Sequence, residues 1–494
     1  MSNYQIVIGL EVHVELKTET KAFCSCKNEF GGVPNTHCCP VCIGLPGALP
    51  VLNKTAVEYC IRAGLALGCK INPYATFERK NYFYPDLAKA YQISEAEYPI
   101  CLGGGLEVSA SNKARDEPDS SGSGNDLNKK SGDSMKFIRL NRIHLEEDAG
   151  KLVHDNMGTL VDYNRGGVPL IEIVTEPDMS GADEALDFLN KLKTAIIYTG
   201  VSDCKMQEGR LRCDVNVSVN KLNEPLGTRT EMKNLNSFSA VRRAINFESK
   251  RQIDELEKGN KIVQETRRWD DMVGKSYPMR SKEDAQDYRY FPDPDILPIE
   301  ISSKYIEKIR KDLPEMPWQL GAKFIKEYGL SAYDAGLITS DKAYSDLFLG
   351  VLNAFNEPKF VLNFIVSEIF RKVNALGLDD VEIPLKSETL AKLLKLYHAK
   401  VISQATTREL LSTVWESNAD PEVLVKEQNL GQVSDTGELE KILAELLVAN
   451  PKAAEQLRAG DEKVYGFFIG QTMRKTGGKA SASVVRDILG KLIK

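Results

Sequence analysis

No apolar run in this 494-residue chain approaches the length needed to span a bilayer, so no membrane segment is expected. No charged stretch followed by an apolar run opens the sequence. Its start is also not the Arg- and Ser-rich, acid-poor start of a transit peptide, and the expectation is a cytoplasmic protein. Cysteine is absent beyond Cys213, since all ten lie between Cys24 and Cys213. Such one-sided usage without a secretion signal fits reduced thiols and a metal clip rather than disulfides. A large charge of one sign is also missing. The 64 Lys and Arg against 70 Asp and Glu leave a net charge of -6, which argues against a general polyanion coat but permits a local basic patch. There is no P-loop, so any nucleotide must be held by other means.

The composition that remains, 42% hydrophobic and 27% charged, is that of a globular protein with room for about three domains. Its most informative stretch is Ile8-Gly9-Leu10-Glu11-Val12-His13-Val14-Glu15-Leu16. Leu10, Val12, Val14 and Leu16 fall on one face of a strand; Glu11, His13 and Glu15 fall on the other. One face suits a sheet core, and the other lines up two carboxylates with an imidazole. A strand with a merely wet outer face would look the same, but later strands repeat the design. Ile143-His144-Leu145-Glu146-Glu147-Asp148 carries three consecutive carboxylates, which repel unless a cation or a basic partner neutralises them. Strand parity groups His144, Glu146 and Asp148, and sets Glu147 with Ile143 and Leu145. Glu172 lies on another alternating strand. From Leu211 to Val219, Arg212, Asp214, Asn216 and Ser218 alternate with apolar residues. Hard cations want oxygen ligands, and phosphate chemistry wants such cations.

Cys24-Ser25-Cys26 and Cys39-Pro40-Val41-Cys42 form C-x-C and C-x2-C pairs across a twelve-residue gap. Two close thiolate pairs suit a tetrahedral zinc ion, and four protein ligands leave no open position, which makes the site structural. Arg79 to Asp86, with Lys89 to Gln92, is expected as a rigid basic and aromatic loop able to hold phosphate or a nucleotide edge. Residues 109–134 are rich in Ser, Gly, Asn, Asp and Lys, and read as a flexible surface insertion. Residues 1–295 then form one α+β domain around a mostly antiparallel sheet. Residues 296–410 read as a helical domain, with one helix from Val361 to Leu376 and another capped by Ser387. Residues 411–494 form a small helical tail whose loop carries Arg474, Lys475 and Lys479, a candidate RNA contact.

Together these stretches resemble the B subunit of aspartyl/glutamyl-tRNA amidotransferase. The matching pieces are IGLEVHVEL, the cysteine clip, RKNYFYPD with KAYQIS, HLEEDAGK, LIEIVTEPD, EGRLRCDVNVSV, KNLNSF, QETRR, DYRYFPDPD and the tail GFFIGQTMRKTGGKA. The resemblance implies a cradle-like catalytic domain followed by helical domains. It implies that ATP phosphorylates the side-chain carboxylate of glutamate or aspartate misacylated on tRNA, and that ammonia displaces the phosphate. It also implies partners: an amidase (A) subunit that supplies the ammonia, a small C subunit, and the tRNA. By the same resemblance Glu11, His13 and Glu147 hold Mg²⁺, with Glu208 a further candidate, while parity offers Glu146 and Asp148 in place of Glu147. Lys80 and Arg210 are candidates for stabilising phosphate charge by residue type. No convincing amidase nucleophile is present. Two other classes fit part of the pattern. An ATP-dependent amide ligase on a small molecule would work without tRNA or partners, and the basic tail argues against it. A noncatalytic zinc-bearing RNA module would not need repeated acidic strands, which repel phosphate without a cation.

Overall fold

A computed structural model describes residues 3–110, 135–155, 158–281, 288–376, 383–428, 430, 436–458, 463–476, 480 and 482–493. All but the first two residues of the stretch expected as an insertion, and Lys479 of the tail, lie outside them. The chain divides into two compact units, residues 1–317 and 318–494.

The first unit is built on β1 (Tyr4–Glu15), β2 (Glu78–Asn81), β3 (Tyr91–Ser94), β4 (Met135–Glu147), β5 (Pro169–Thr175), β6 (Leu211–Lys221), β7 (Thr230–Lys233) and β8 (Glu265–Asp270). Their order in the sheet is β8-β7-β6-β1-β5-β4-β3-β2, extended by Lys275–Ser281 beside β8 and by Phe291–Pro292 beside β2. Among the described residues, β7 with β8 is the one parallel pair on this path. The fold is α+β, as expected. Three helices, α1 (Lys54–Ala66), α2 (Ala182–Thr199) and α3 (Phe238–Glu257), cover one face, with α1 over β4 and β5 and α3 over β6. Ile8, Leu10, Val12 and Val14 of β1 are buried under that layer. Each contributes about 1.5–3 kcal/mol of apolar burial. Asn53 starts α1 by accepting hydrogen bonds from the backbone N–H of Thr55 and Ala56. Gly200 ends α2 in the left-handed region at φ 74°.

The expected rigid loop around Arg79 needs correction. Residues 78–81 and 91–94 are paired strands, and only the segment between them is loop. Glu95, just after β3, is buried, and its Oε2 accepts from the N–H of Leu145 at 3.0 Å and of Ile100 at 3.2 Å. Burial pushes this carboxyl well above the usual carboxylate range, although the two N–H donors pull it back. The folded state therefore holds the proton more tightly than the unfolded chain. Stability is full below the unfolded value, near pH 4, and falls as pH rises toward the folded one. Glu95→Gln keeps the acceptor without the charge. In denaturant melts it should match the parent at pH 4 and exceed it at pH 8, by roughly 1.4 kcal/mol per unit of elevation. A difference that does not change with pH would contradict this.

The second unit is helical. The helix expected from Val361 to Leu376 is broken into Pro358–Phe364, a π turn Ile365–Ile369, and Phe370–Leu376. The wide turn carries Glu368, whose buried carboxylate takes Arg408 Nη2 at 2.7 Å as well as Arg371. Ser387 is the first helical residue rather than the cap. Lys386 occupies the cap position, and its N–H donates to Asn418 Oδ1 at 2.6 Å. Leu439, Leu443, Leu457, Phe468 and Leu489 centre a small separate core in the tail.

Candidate active site

The sheet's polar face is assembled by register. In β1, Glu11 lies opposite Asp214 of β6, and His13 lies between Arg212 of β6 and Glu172 of β5. Glu172 in turn lies opposite His144 of β4, and Leu170 opposite Glu146. Residues directly opposite share a face, so one polar surface crosses four strands. At its centre His13 Nε2 is 3.3 Å from Glu172 Oε2 and 3.9 Å from Glu146 Oε1. His144 Nε2 is 3.6 Å from Glu172 Oε2 and 3.7 Å from Glu146 Oε2. Ligand atoms of His13, Glu146 and Glu172 all lie within 4.8 Å of one another. Arg142 Nε donates to His144 Nδ1 at 3.3 Å, so the ring presents Nε2 to the carboxylates.

Electrostatics follow from this crowding. Burial disfavours the His13 imidazolium, but the hydrogen bond to Glu172 and the charge of Glu146 outweigh it and raise its pKa. Burial works against the Glu172 carboxylate too, and His13, His144 and Lys80 overcome it, holding it well below the usual range. Burial, then the charges of Glu172 and Glu231, raise Glu11, which accepts from Asn216 Nδ2 at 2.9 Å. Beside the centre, burial and Asp148 push Glu15 up to about 8. Asp148 itself is held low by Arg212 and Arg165 against its burial, so the proton of this pair sits on Glu15. Lys80 stands at the rim with its Nζ 5.0 Å from the Tyr288 ring and 5.9 Å from that of Tyr82. Burial opposes its charge, but Glu146, Tyr290, Tyr288 and Glu172 together outweigh it and raise its pKa.

Of the residues singled out from the sequence, His13 and the parity alternative Glu146 lie at this centre, with Glu11 and Lys80 at its border. Glu147 does not. Its parity turns it to the opposite face, where it takes the Lys89 ammonium and the N–H of Ile93, the latter at 3.0 Å. Glu208 and Arg210 form an ion pair with each other at 2.8 Å, and Arg210 also meets Asp203 at 2.9 Å, in the turn before β6. Glu172 was missed as a site residue. Its signal was the lone acid on an apolar strand, but the sequence does not give the strand pairing that sets it against His13. Ser94, whose hydroxyl donates to Glu146 Oε2 at 3.2 Å, and Lys233, whose Nζ donates to Asp214 Oδ2 at 2.6 Å, carried no signal of their own as site residues.

The cysteine clip forms a second centre. Cys42 Sγ lies 3.4, 3.7 and 3.8 Å from the sulfurs of Cys24, Cys26 and Cys39. A tetrahedral ion with bonds of about 2.3 Å sets its sulfurs about 3.8 Å apart, so the four thiols fit zinc. The hydrogen bond from Cys24 lowers Cys42 to about 4 in spite of burial, with help from the Cys39 backbone and Lys21. Burial and the neighbouring sulfurs push Cys26 up to about 12. In the tail, Arg474 and Lys475 are exposed on the last turn of helix Lys463–Lys475, and Lys475 meets Glu445 at 3.0 Å.

Residues 6–307 match the GatB/GatE catalytic domain family, and residues 346–493 match the GatB domain family. The aspartyl/glutamyl-tRNA(Asn/Gln) amidotransferase B subunit of Thermoanaerobacter pseudethanolicus is 50% identical over 488 residues, 98% of either chain. The protein of that name from Caldicellulosiruptor bescii is 50% identical over 492 residues, again 98% of either. That of Carboxydothermus hydrogenoformans is 47% identical over 99% of this chain and 98% of its own.

Proposed function

Since the chain belongs to the family of aspartyl/glutamyl-tRNA(Asn/Gln) amidotransferase B subunits, we propose that it activates the amino acid carried on a misacylated tRNA. ATP phosphorylates the side-chain carboxylate of tRNA-bound glutamate, aspartate or both, and ammonia then displaces the phosphate. The observation that carries this reading is the cluster of His13, Glu146 and Glu172, with Lys80 at its rim. Two carboxylates and an imidazole suit a divalent cation, and Glu146 and Glu172 are the residues that would hold Mg²⁺. Mg²⁺ there supplies screening for ATP phosphates and for an attacking carboxylate. Imidazole is uncommon on magnesium, so His13 holds Glu172 in position or acts through water. His144 orients both carboxylates from Nε2, and Glu11 borders the cluster beside Asn216. Lys80 takes phosphate charge, whereas Glu208 and Arg210 neutralise each other and brace the turn before β6.

Ammonia comes from a partner amidase (A) subunit, with a small C subunit completing a cytoplasmic heterotrimer. This accords with the lack of an amidase nucleophile in the sequence. No helix of the described residues is long and apolar enough to cross a membrane. Zinc in the cysteine clip is structural. Residues 1–295 carry the chemistry, while 296–410 and 411–494 carry the tRNA body. The assembled three-subunit complex should cleave ATP only with a misacylated tRNA present. Equal cleavage without tRNA would overturn the proposal in favour of a small-molecule amide ligase.

Arg474, Lys475 and Lys479 are proposed phosphate contacts. Replacing all three with glutamine should raise KM for tRNA, and each lost contact should flatten the salt dependence by about one unit of slope. Titrating binding between low and moderate salt measures this, and an unchanged slope would remove the tail from the interface.

A further inference from the structure

Lys21 is fully buried, at 0% exposure, between the cysteine clip and the turn that leads into β5. A buried ammonium needs acceptors for its three protons and a compensating charge. Its Nζ donates to the carbonyl of Gly166 at 2.7 Å, to that of Tyr163 at 3.1 Å, and to Cys42 Sγ at 3.5 Å. These partners use all three protons, and two of them are neutral carbonyls. No carboxylate among the described residues pairs with Lys21. The compensating charge must therefore come from sulfur. Without the ion the sulfurs offer only the single charge of the Cys42 thiolate, whereas four thiolates around one Zn²⁺ carry a net charge of minus two, because metal binding releases the thiol protons.

We infer that Lys21 is the charge partner of a zinc-bound Cys24, Cys26, Cys39 and Cys42 centre, and that it ties this centre to the turn ahead of β5. The inference rests on reading the clip as a zinc site. In a water-poor interior an ammonium against the cluster neutralises half of its charge. The backbone supports the same connection. Lys21 N–H donates to the Cys26 carbonyl at 3.0 Å, and Ala22 N–H to the Gly167 carbonyl at 2.8 Å. Asn164, in the turn, accepts from His37 N–H in the clip at 2.8 Å. Gly167 has φ +84°, and a Cβ there would lie 3.6 Å from Lys21 Cδ and 3.8 Å from Glu147 Oε2. The lysine stem thus backs the turn on the side where Glu147 is held. Its head is shut away from solvent, which leaves it no role as a substrate contact.

The test uses the full chain. Zinc content of the parent is measured first. Zinc affinity of the parent and of Lys21→Met is then compared by competition with a chromophoric chelator. Methionine keeps the unbranched stem and removes the charge. Loss of an outer partner of this kind typically weakens metal affinity 10–100-fold, and that is the expected result. In the Co²⁺-substituted chain the thiolate-to-metal charge-transfer band should also shift in K21M. Should K21M not fold, amine acylation of the parent followed by mass spectrometry decides. Lys21 should be protected with zinc bound and labelled once zinc is stripped. Zinc in the parent together with parental affinity in K21M overturns the inference alone, as does equal protection with and without zinc. A parent that binds no zinc overturns the clip reading beneath it.

Discussion

Glu146→Ala and Glu172→Ala should each reduce tRNA-dependent ATP cleavage by the assembled complex about 10²–10³-fold in kcat or more, roughly 3–4 kcal/mol of lost transition-state stabilisation. The two carboxylates converge with His13 within 4.8 Å, so removing either destroys the only such group with acidic ligands among the described residues. The proposed tRNA contacts Arg474, Lys475 and Lys479 are left in place, so tRNA binding should persist. His13→Ala should fall in the same class, because His13 Nε2 lies 3.3 Å from Glu172 and helps keep it ionised. Glu147→Gln should behave differently. It weakens a buried pair with Lys89, and breaking such a pair costs about 3–5 kcal/mol, so the loss should appear in thermal melts. The protein that remains folded should retain ATP cleavage. ADP formation measured alongside a melt for each variant separates the two effects. If Glu147→Gln abolishes cleavage at parental stability while Glu146→Ala retains it, the cation lies on the other side of β4 and the family-based assignment stands.

That divergence marks where the sequence stops being informative. The opening strand was legible because strict alternation places Glu11, His13 and Glu15 on one face whatever the strand pairs with. Helices α1 and α2 were legible from apolar spacing closed by Gly68 and Gly200, both at positive φ. The metal clip was legible because paired spacing alone brings two thiolates to each edge of a tetrahedron. Strand neighbours were not. β5, which brings Glu172 between His13 and His144, follows β4 in the chain across a separate hairpin of Lys151–Asp155 and Gly158–Asp162. β1 meets β6 some 200 residues later, so no local pattern sets Asp214 against Glu11. In the run Glu146-Glu147-Asp148, parity groups Glu146 and Asp148 with His144, but the pairing of Leu170 with Glu146 is needed to tell which of those two joins the cluster. The π turn at Glu368 was hidden for a related reason. Its apolar spacing imitates an α-helix, while a buried carboxylate with two arginines depends on residues 40 positions apart.

Cys39→Ala should take the chain's zinc content from one per chain to near zero, and the loss should be felt in stability before chemistry. Three sulfurs leave a coordination position to water, and the ligand set then resembles an open site rather than a closed structural one. The clip is stitched to the turn before β5 by Lys21, by Asn35 N–H to Asp162 at 3.0 Å, and by Asn164 to Val33 at 2.8 Å. Without the ion, four closely spaced thiols and the buried Lys21 lose the charge balance that keeps them together. The loosened turn should cost about 2 kcal/mol or more, roughly 3 °C in Tm for a unit of this size. The polar face is set by the register of β1, β4, β5 and β6 and not by the sulfurs, so kcat per folded molecule should change by less than about threefold, under 1 kcal/mol. Elemental analysis, a melt and ADP formation on one preparation decide the matter. Retained zinc in Cys39→Ala would show that the fourth ligand is another residue, with His37 and Cys38 the nearby spares. A kcat lost in proportion to zinc at parental Tm would move the clip from scaffold to chemistry.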